Sequence, residues 1–432
     1  MLQDKNGRLN FLHAFFIAAA FTSSFDIFLV VNLGLNFRIS QILLLFPIFI
    51  AFRNALNHKI IVPLGMRWLL LWSFFILIAI PNGEFLVRNI GYFAWLLINI
   101  ATIFSCVQIF KTKEKIYSLM RWYIYSFVFV AAFGIFQFFS PLAGFGNFFL
   151  IQQWWIYGLI PRVNGFSYEP SFFSTYLLMG WVICAYFLEV KNTLFPRKKL
   201  YLLFFVITVS LILSSSRMGI LMMLCWYMQY PFRFLLRLGQ GYINKKLAII
   251  VFTIVSLLVC IIFCVLFVLG LDKISFLFGG IGIMGGASHS VNDRTNGLHD
   301  TLAVFFDSPI IGVGLGGVAP GIAKLHGVAN PDFETVKMYE GNSIFAEVLA
   351  ASGIFGFIPF VIFLYLILVK PFVLSKKLIP EQSTILIAMG LALIFELVIL
   401  QFNQNILRQY FWIHIAFLVT SYSAFSKIRN SY

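Results

Sequence analysis

The sequence predicts an all-α, polytopic integral membrane protein of about twelve transmembrane helices with one large loop on the far side of the membrane. Three observations carry that prediction. Of the 432 residues, 61% are hydrophobic and 11% are charged, with a mean hydropathy of +0.93; a soluble domain carries roughly 25% charged residues because its surface must meet water. The apolar residues come in long blocks, such as 247–269 and 354–369, of the length that a hydrocarbon core of roughly 30 Å demands. The basic residues gather in the short connections on alternate sides of these blocks, which is how topology is encoded.

Lipid offers no partner to backbone N–H and C=O groups, so each block is read as a helix. Taken in order, the helices fall near 11–31, 37–53, 64–80, 90–110, 119–140, 170–189, 200–214, 217–231, 247–270, 343–369, 383–400 and 409–425. The first block follows Lys5 and Arg8 and is too long for the core of a secretory signal, so it reads as a retained helix. Inner connections hold most of the 31 lysines and arginines. The exceptions are Arg38, Arg88, Arg162, Arg217, Lys273, Arg294, Lys324, Lys337 and Arg408. This bias places both termini in the cytoplasm.

The whole chain, 1–432, reads as a single transmembrane domain. Two segments on the far side are substantial. Pro141 to Glu169 is rich in aromatic residues, with Trp154, Trp155 and Tyr157. Residues 271–341 form the long polar loop, and a loop of that length is functional or carries structure of its own. Within it His299 to Phe306, ahead of Pro309, reads as a short amphipathic helix lying on the membrane. The five cysteines, Cys106, Cys184, Cys225, Cys260 and Cys264, all fall inside hydrophobic blocks, so neither a disulfide framework nor a metal site is indicated. The formal charge of +15 lacks the concentrated basic arm that tracks phosphates, so no nucleic-acid partner is expected.

The arginines on the far side run against the topological bias and need another reason. A guanidinium is a planar fork suited to phosphate oxygens, and it stays charged in a partly desolvated site. Arg162, Arg217, Arg294 and Arg408 lie at or near the far ends of helices, where they suit a lipid-linked diphosphate held at headgroup level. Each could equally snorkel to lipid phosphates or pair with an acid. Arg217 follows Ser214-Ser215-Ser216, whose small hydroxyl residues let a ligand approach the backbone closely. Arg162 opens the run Arg162-Val163-Asn164-Gly165-Phe166-Ser167-Tyr168-Glu169-Pro170-Ser171. In that run Glu169 takes an N-cap-like position before Pro170, as a capping group or as a base that accepts the proton of an attacking sugar hydroxyl. Glu340, beside Gly341 and Asn342, is an alternative base. Asp26, Glu347 and Glu396 are acids within or near apolar blocks, and such residues mark function, including proton relays in transporters. Gly312 to Gly317 fits G-x-G-x-x-G in letters but follows no strand of a βαβ unit, so dinucleotide binding is not expected.

The ordered set of these motifs resembles the bacterial O-antigen polymerases (Wzy-type) and O-antigen ligases. The residues that carry the resemblance are Arg162 to Ser171, then Ser214 to Gly219, then Asp293 and Arg294, then Ser308 to Gly316, and finally Asn342 to Gly356. The resemblance implies a GT-C-like glycosyltransferase of the bacterial inner membrane with its active site facing the periplasm. It implies undecaprenyl-diphosphate-linked oligosaccharides as donor and acceptor, membrane lipids around them, a chain-length regulator as partner, and no cofactor or metal. Glu169, Arg217 and Arg162 are expected to carry catalysis, with Arg294, Arg408, Glu340, Asn342, Ser216 and Tyr168 contacting substrate. Ligases of this kind carry a histidine just before the asparagine of the last motif; that position is Gly341 here, a departure that favours a polymerase. The alternatives are an O-antigen ligase acting on lipid A–core and, from another class, a lipid-linked oligosaccharide flippase or transporter. Transporter folds show paired halves around a central site, and no repeat is visible in this sequence.

Overall fold

Among the described residues the apolar blocks fold as helices. The structure, a computed structural model, describes residues 11–32, 36–57, 59–150, 154–156, 160–190, 194–239, 246, 248–257, 260, 288–328, 332–402 and 406–430. In chain order the helices are α1 (Phe11–Phe21), α2 (Ile39–Asn57), α3 (Met66–Ala79), α4 (Leu86–Ile109), α5 (Lys113–Leu142), α6 (Pro170–Glu189) and α7 (Arg197–Leu213). Then come α8 (Arg217–Gly239), α9 (Ala248–Leu257), α10 (Ser288–Asp307), α11 (Val318–Leu325), the single turn α12 (Phe333–Val336), α13 (Ile344–Ser375), α14 (Pro380–Ile399) and α15 (Gln409–Asn430). Two antiparallel hairpins, β1–β2 (Val30–Asn32, Asn36–Arg38) and β3–β4 (Trp154–Ile156, Ile160–Pro161), lie in the connections. Among the described residues, α2, α4, α5, α6, α13 and α14 are long and apolar enough to cross a membrane. The protein is a multi-pass membrane protein.

The chain divides into two compact units: Met1–Ser216 with Leu298–Tyr432, and Arg217–Gly297. In the first, α13 packs on α3, α15 on α4, α14 on α6 and α5 on α7. Helix α6 is the most enclosed of the six candidate spans. The second unit holds α8, α9 and the start of α10. Of the expected helix 247–270 the described residues are α9 and Cys260; the rest lies outside the described residues, as do the side chains of His289 and Arg294.

Two expectations about helices are corrected. The first helix was expected over 11–31 but stops at Phe21. Its last carbonyls are taken by hydroxyls, Thr22 Oγ1 donating to Ala18 O (2.8 Å) and Ser23 Oγ to Ala20 O (2.9 Å), and such side chains compete with helix continuation. The chain then turns so that the N–H groups of Asp26 and Ile27 both donate to Phe166 O, at 2.9 and 3.1 Å.

The second correction is that α13 is broken at Gly353 (φ 58°, ψ −172°). The break frees backbone groups that lipid could not satisfy. The glycine-rich segment 308–317 supplies what is missing: Val313 N–H donates to Ala350 O (3.1 Å), Gly314 N–H to Ala351 O (2.8 Å), and Pro309 O accepts from Ile354 N–H (2.9 Å). Gly312 (φ 83°) lies so close that a Cβ there would sit 2.5 Å from the Ala351 backbone. The other side of the segment is fixed to α4 and the turn before it. Asn89 Nδ2 donates to Val313 O (2.9 Å), Arg88 Nη1 to Gly316 O (2.9 Å), and Asn82 Nδ2 to Gly312 O (3.0 Å). The G-x-G letters therefore serve close backbone packing.

Candidate active site

The loop 162–169 is staked from below by α5. Gln137, buried in that helix, accepts from the N–H groups of Asn164 (3.1 Å) and Gly165 (2.9 Å), and Asn164 Nδ2 donates to Ser167 O (2.6 Å). Phe166 is held in an aromatic stack, 4.0 Å from the Phe133 centroid and 4.1 Å from that of Phe25. The loop ends at Glu169, the N-cap of α6 with Pro170 as first helical residue, which is the position the sequence predicts. Its backbone carbonyl accepts from Phe172 and Phe173. Its carboxylate makes no capping bond. That group is exposed and accepts from Ser171 Oγ at 2.9 Å. Tyr168 beside it is exposed as well.

The same loop meets the serine turn at the end of α7. Val163 N–H donates to Leu213 O (3.3 Å), and the Arg162 guanidinium lies over Ser214 O and Ser215 O, both at 3.4 Å. Ser216 is buried, its N–H 3.3 Å from Ser214 Oγ. Two of the motifs singled out in the sequence are thus in contact. Arg217 follows in the chain as the exposed first residue of α8 and opens the second unit. Arg294 belongs to that unit too, on α10.

Arg408, expected to contact substrate, is 5% exposed and ion-paired. Its Nη1 lies 2.5 Å from Asp26 Oδ2, while Arg38 Nε holds Asp26 Oδ1 at 2.8 Å. Asp26, a proton-relay candidate in the sequence, is the shared partner of two arginines, an arrangement that offsets the cost of burying charge. The Arg408 Cζ stands 3.8 Å from the centroid of the Phe172 ring, one turn into α6. Glu169 is among the carboxylates whose charge acts on this arginine.

Glu340, the alternative base, is also paired. It forms a close ion pair with Arg88 of α4, itself 2% exposed, and accepts from Tyr92 Oη at 3.2 Å. Burial pushes its carboxyl up from the usual range, against the pull of Arg88. Asn342 donates its backbone N–H to Thr301 Oγ1 (3.1 Å). Gly341 beside it is closely packed, with a Cβ meeting Thr301 Oγ1 at 3.1 Å and Val318 at 3.3 Å. Glu347 is buried and accepts from Ile406 N–H (3.3 Å). The charge of Arg408 reaches Glu340 as it does Glu169. Glu396 stands apart in α14, buried, with no hydrogen bond to either oxygen among the described residues.

Arg88, Tyr92, Arg38 and Gln137 are the members that sequence reasoning passed over. For the two arginines a signal existed, since both lie on the far side in the topological reading. Tyr92 and Gln137 carry none beyond being polar groups in apolar blocks.

No curated protein matches the chain at a significant level. Residues 202–361, somewhat more than a third of the chain, match the family model described as O-antigen ligase (Wzy_C). That stretch runs from within α7 into α13, and so covers the serine turn, Arg217, Arg294, the glycine-rich segment, Glu340 and Asn342; the loop 162–169 precedes it. Over that stretch the chain is similar to the O-antigen ligase family, which supports the resemblance to the O-antigen ligase and polymerase superfamily.

Proposed function

We propose that the protein is a polymerase of O-antigen or a related exopolysaccharide, spanning the bacterial inner membrane with about twelve helices in a GT-C-like arrangement. On this reading both termini are cytoplasmic and the site faces the periplasm. The observation that carries the proposal is Glu169: an exposed carboxylate with no ion pair among the described residues, at the head of α6, on a loop whose Arg162 lies on the serine turn of the matched stretch.

Donor and acceptor are oligosaccharide repeat units on undecaprenyl diphosphate. Glu169 takes the proton of the acceptor hydroxyl as that oxygen forms a bond to the anomeric carbon. The bond from that carbon to the diphosphate breaks, and the lipid diphosphate leaves with the electron pair. Attack opposite the leaving group inverts the configuration. Arg162 stabilises the charge that develops on the diphosphate, a role proposed separately for Arg217 and Arg294 of the second unit, and the diphosphate linkage itself supplies the driving force. Ser216, Tyr168 and Asn342 are proposed substrate contacts, and a chain-length regulator is the proposed protein partner. Arg408 is proposed to orient the site through Phe172 and Asp26.

The test is incubation of the purified protein with an undecaprenyl-diphosphate repeat unit, followed by sizing of the product. Long polymer is expected from the parent and none from Arg217→Ala at equal protein abundance. Normal polymer from that variant removes Arg217 from the mechanism. The description of the matching family favours one second reading, a ligase. A deletion strain separates the two: single repeat units on lipid A–core mean a polymerase, and complete loss of capped core means a ligase.

A further inference from the structure

Among its described side chains, 295–307, helix α10 does not present a broad apolar face outward. Thr301 and Val304 are turned into the protein, and Val304 lies within 3.0 Å of where a Cβ would stand on Gly321 of α11. Among the described side chains of α10 and the turn after it, the most exposed large apolar residues stand at the corner where α10 ends, Leu298 being 37% exposed. Phe306 is 72% exposed and Ile310 56% exposed.

The wall below this corner and the rim above it have opposite chemistry. Below, the corner is bonded to the break in α13 through Pro309 O and Ile354 N–H, and Ile354, Phe355 and Ile358 are exposed on that membrane-crossing helix. An exposed apolar residue on a spanning helix faces acyl chains. Above, Asp307 follows Phe306 directly, and its charge acts on Lys324, which is bonded to Glu84 at 2.7 Å. All three charged side chains are exposed. A step from lipid-facing wall to large apolar side chains to charged rim, within a few residues, is the profile of a membrane–water boundary.

We propose that the Phe306–Ile310 corner is a membrane anchor. Its two side chains enter the acyl-chain region of the adjoining leaflet, while Asp307, Lys324 and Glu84 remain in the headgroup and water layer. The occupant of this surface is phospholipid, and the anchor fixes the depth of the glycine-rich segment that repairs α13. The inference rests on the multi-pass character of the chain and is independent of the catalytic proposal.

The test uses the full chain reconstituted in vesicles of phosphatidylethanolamine and phosphatidylglycerol. Phe306→Trp, Ile310→Trp and, as a control on α10, His299→Trp, whose parent side chain is 85% exposed, are compared with the parent by difference fluorescence. The added emission from positions 306 and 310 is expected to be shifted to the blue. It should be quenched by phospholipid brominated on the upper acyl chain, and spared by iodide present on both faces. Position 299 should show the reverse. The two apolar positions report separately, so a failure of one to fold leaves the other readable. Iodide quenching at either position equal to that at 299, without bromolipid quenching, overturns the anchor.

Discussion

Two carboxylates stand before helices at the same end of the first unit, and they have opposite fates. Glu169 caps α6 with its backbone, while its carboxylate is exposed and takes a hydroxyl hydrogen bond from Ser171. Glu340, four residues ahead of α13, is gripped by Arg88 and Tyr92. The difference lies in where the neighbouring arginines went. Asp26 draws Arg408 and Arg38 to itself, and among the described residues Glu169 has no salt bridge. Arg88, anchored to Gly316 O by its other nitrogen, delivers its charge to Glu340. One carboxylate is thereby suited to accept a proton, and the other to hold two segments together.

Exchanging each acid for its amide tests that contrast most strongly. Glu169→Gln is expected to cut the polymerisation rate by about 10²- to 10⁴-fold, the range for loss of a general base, at undiminished abundance. Glu340→Gln is expected to act on folding instead. It leaves the buried Arg88 without its counter-charge, a loss of about 3–5 kcal/mol, read as a lower melting temperature in detergent and reduced membrane content. A stable, inactive Glu340→Gln protein beside an active Glu169→Gln protein would reverse the assignment.

A smaller effect tests the glycine-rich segment that Arg88 also holds. Gly312→Ala places a side chain at positive φ against the Ala351 backbone. The expected cost is about 1–3 kcal/mol, again seen as a fall in melting temperature, with the pH dependence of activity unchanged. The smallest expected effect is that of Ser171→Ala. Removing one hydrogen bond to an exposed carboxylate should change stability by less than about 1 kcal/mol. A modest change in rate would show that the hydroxyl orients Glu169; a loss as large as that of Glu169→Gln would show that Ser171 is itself required for the chemistry.

The sequence made the helices legible because each is a local matter of apolar length. The spans of α2, α3, α6 and α14 fall within a few residues of expectation. The N-cap place of Glu169 was legible too, from the adjacent proline. What the chain pattern hides is pairing across long separations: Arg88 meets Glu340 from 252 residues away, and Arg408 meets Asp26 from 382. No periodicity encodes such partners, so Arg408 looked like a ligand contact and Asp26 like a relay. The end of α1 was missed for the same reason, since the chain leaves its helix to bring Asp26 to two arginines and to Phe166. The glycines of 312–317 are ambiguous by their letters alone, although the lack of a preceding strand already argues against a dinucleotide site. The letters that cradle a phosphate and those that let two backbones touch are the same, and only the neighbour distinguishes them.

The splice at Gly353 has a practical consequence for anyone cutting or tagging the protein. A peptide far from α13 in sequence order completes that helix's ladder, so the membrane-crossing element and part of the loop stand or fall together. Tags inserted near residue 312 should strand the two carbonyls at Ala350 and Ala351. The turn at Gly327, where a side chain meets nothing within 4 Å, is the safer place to open the chain.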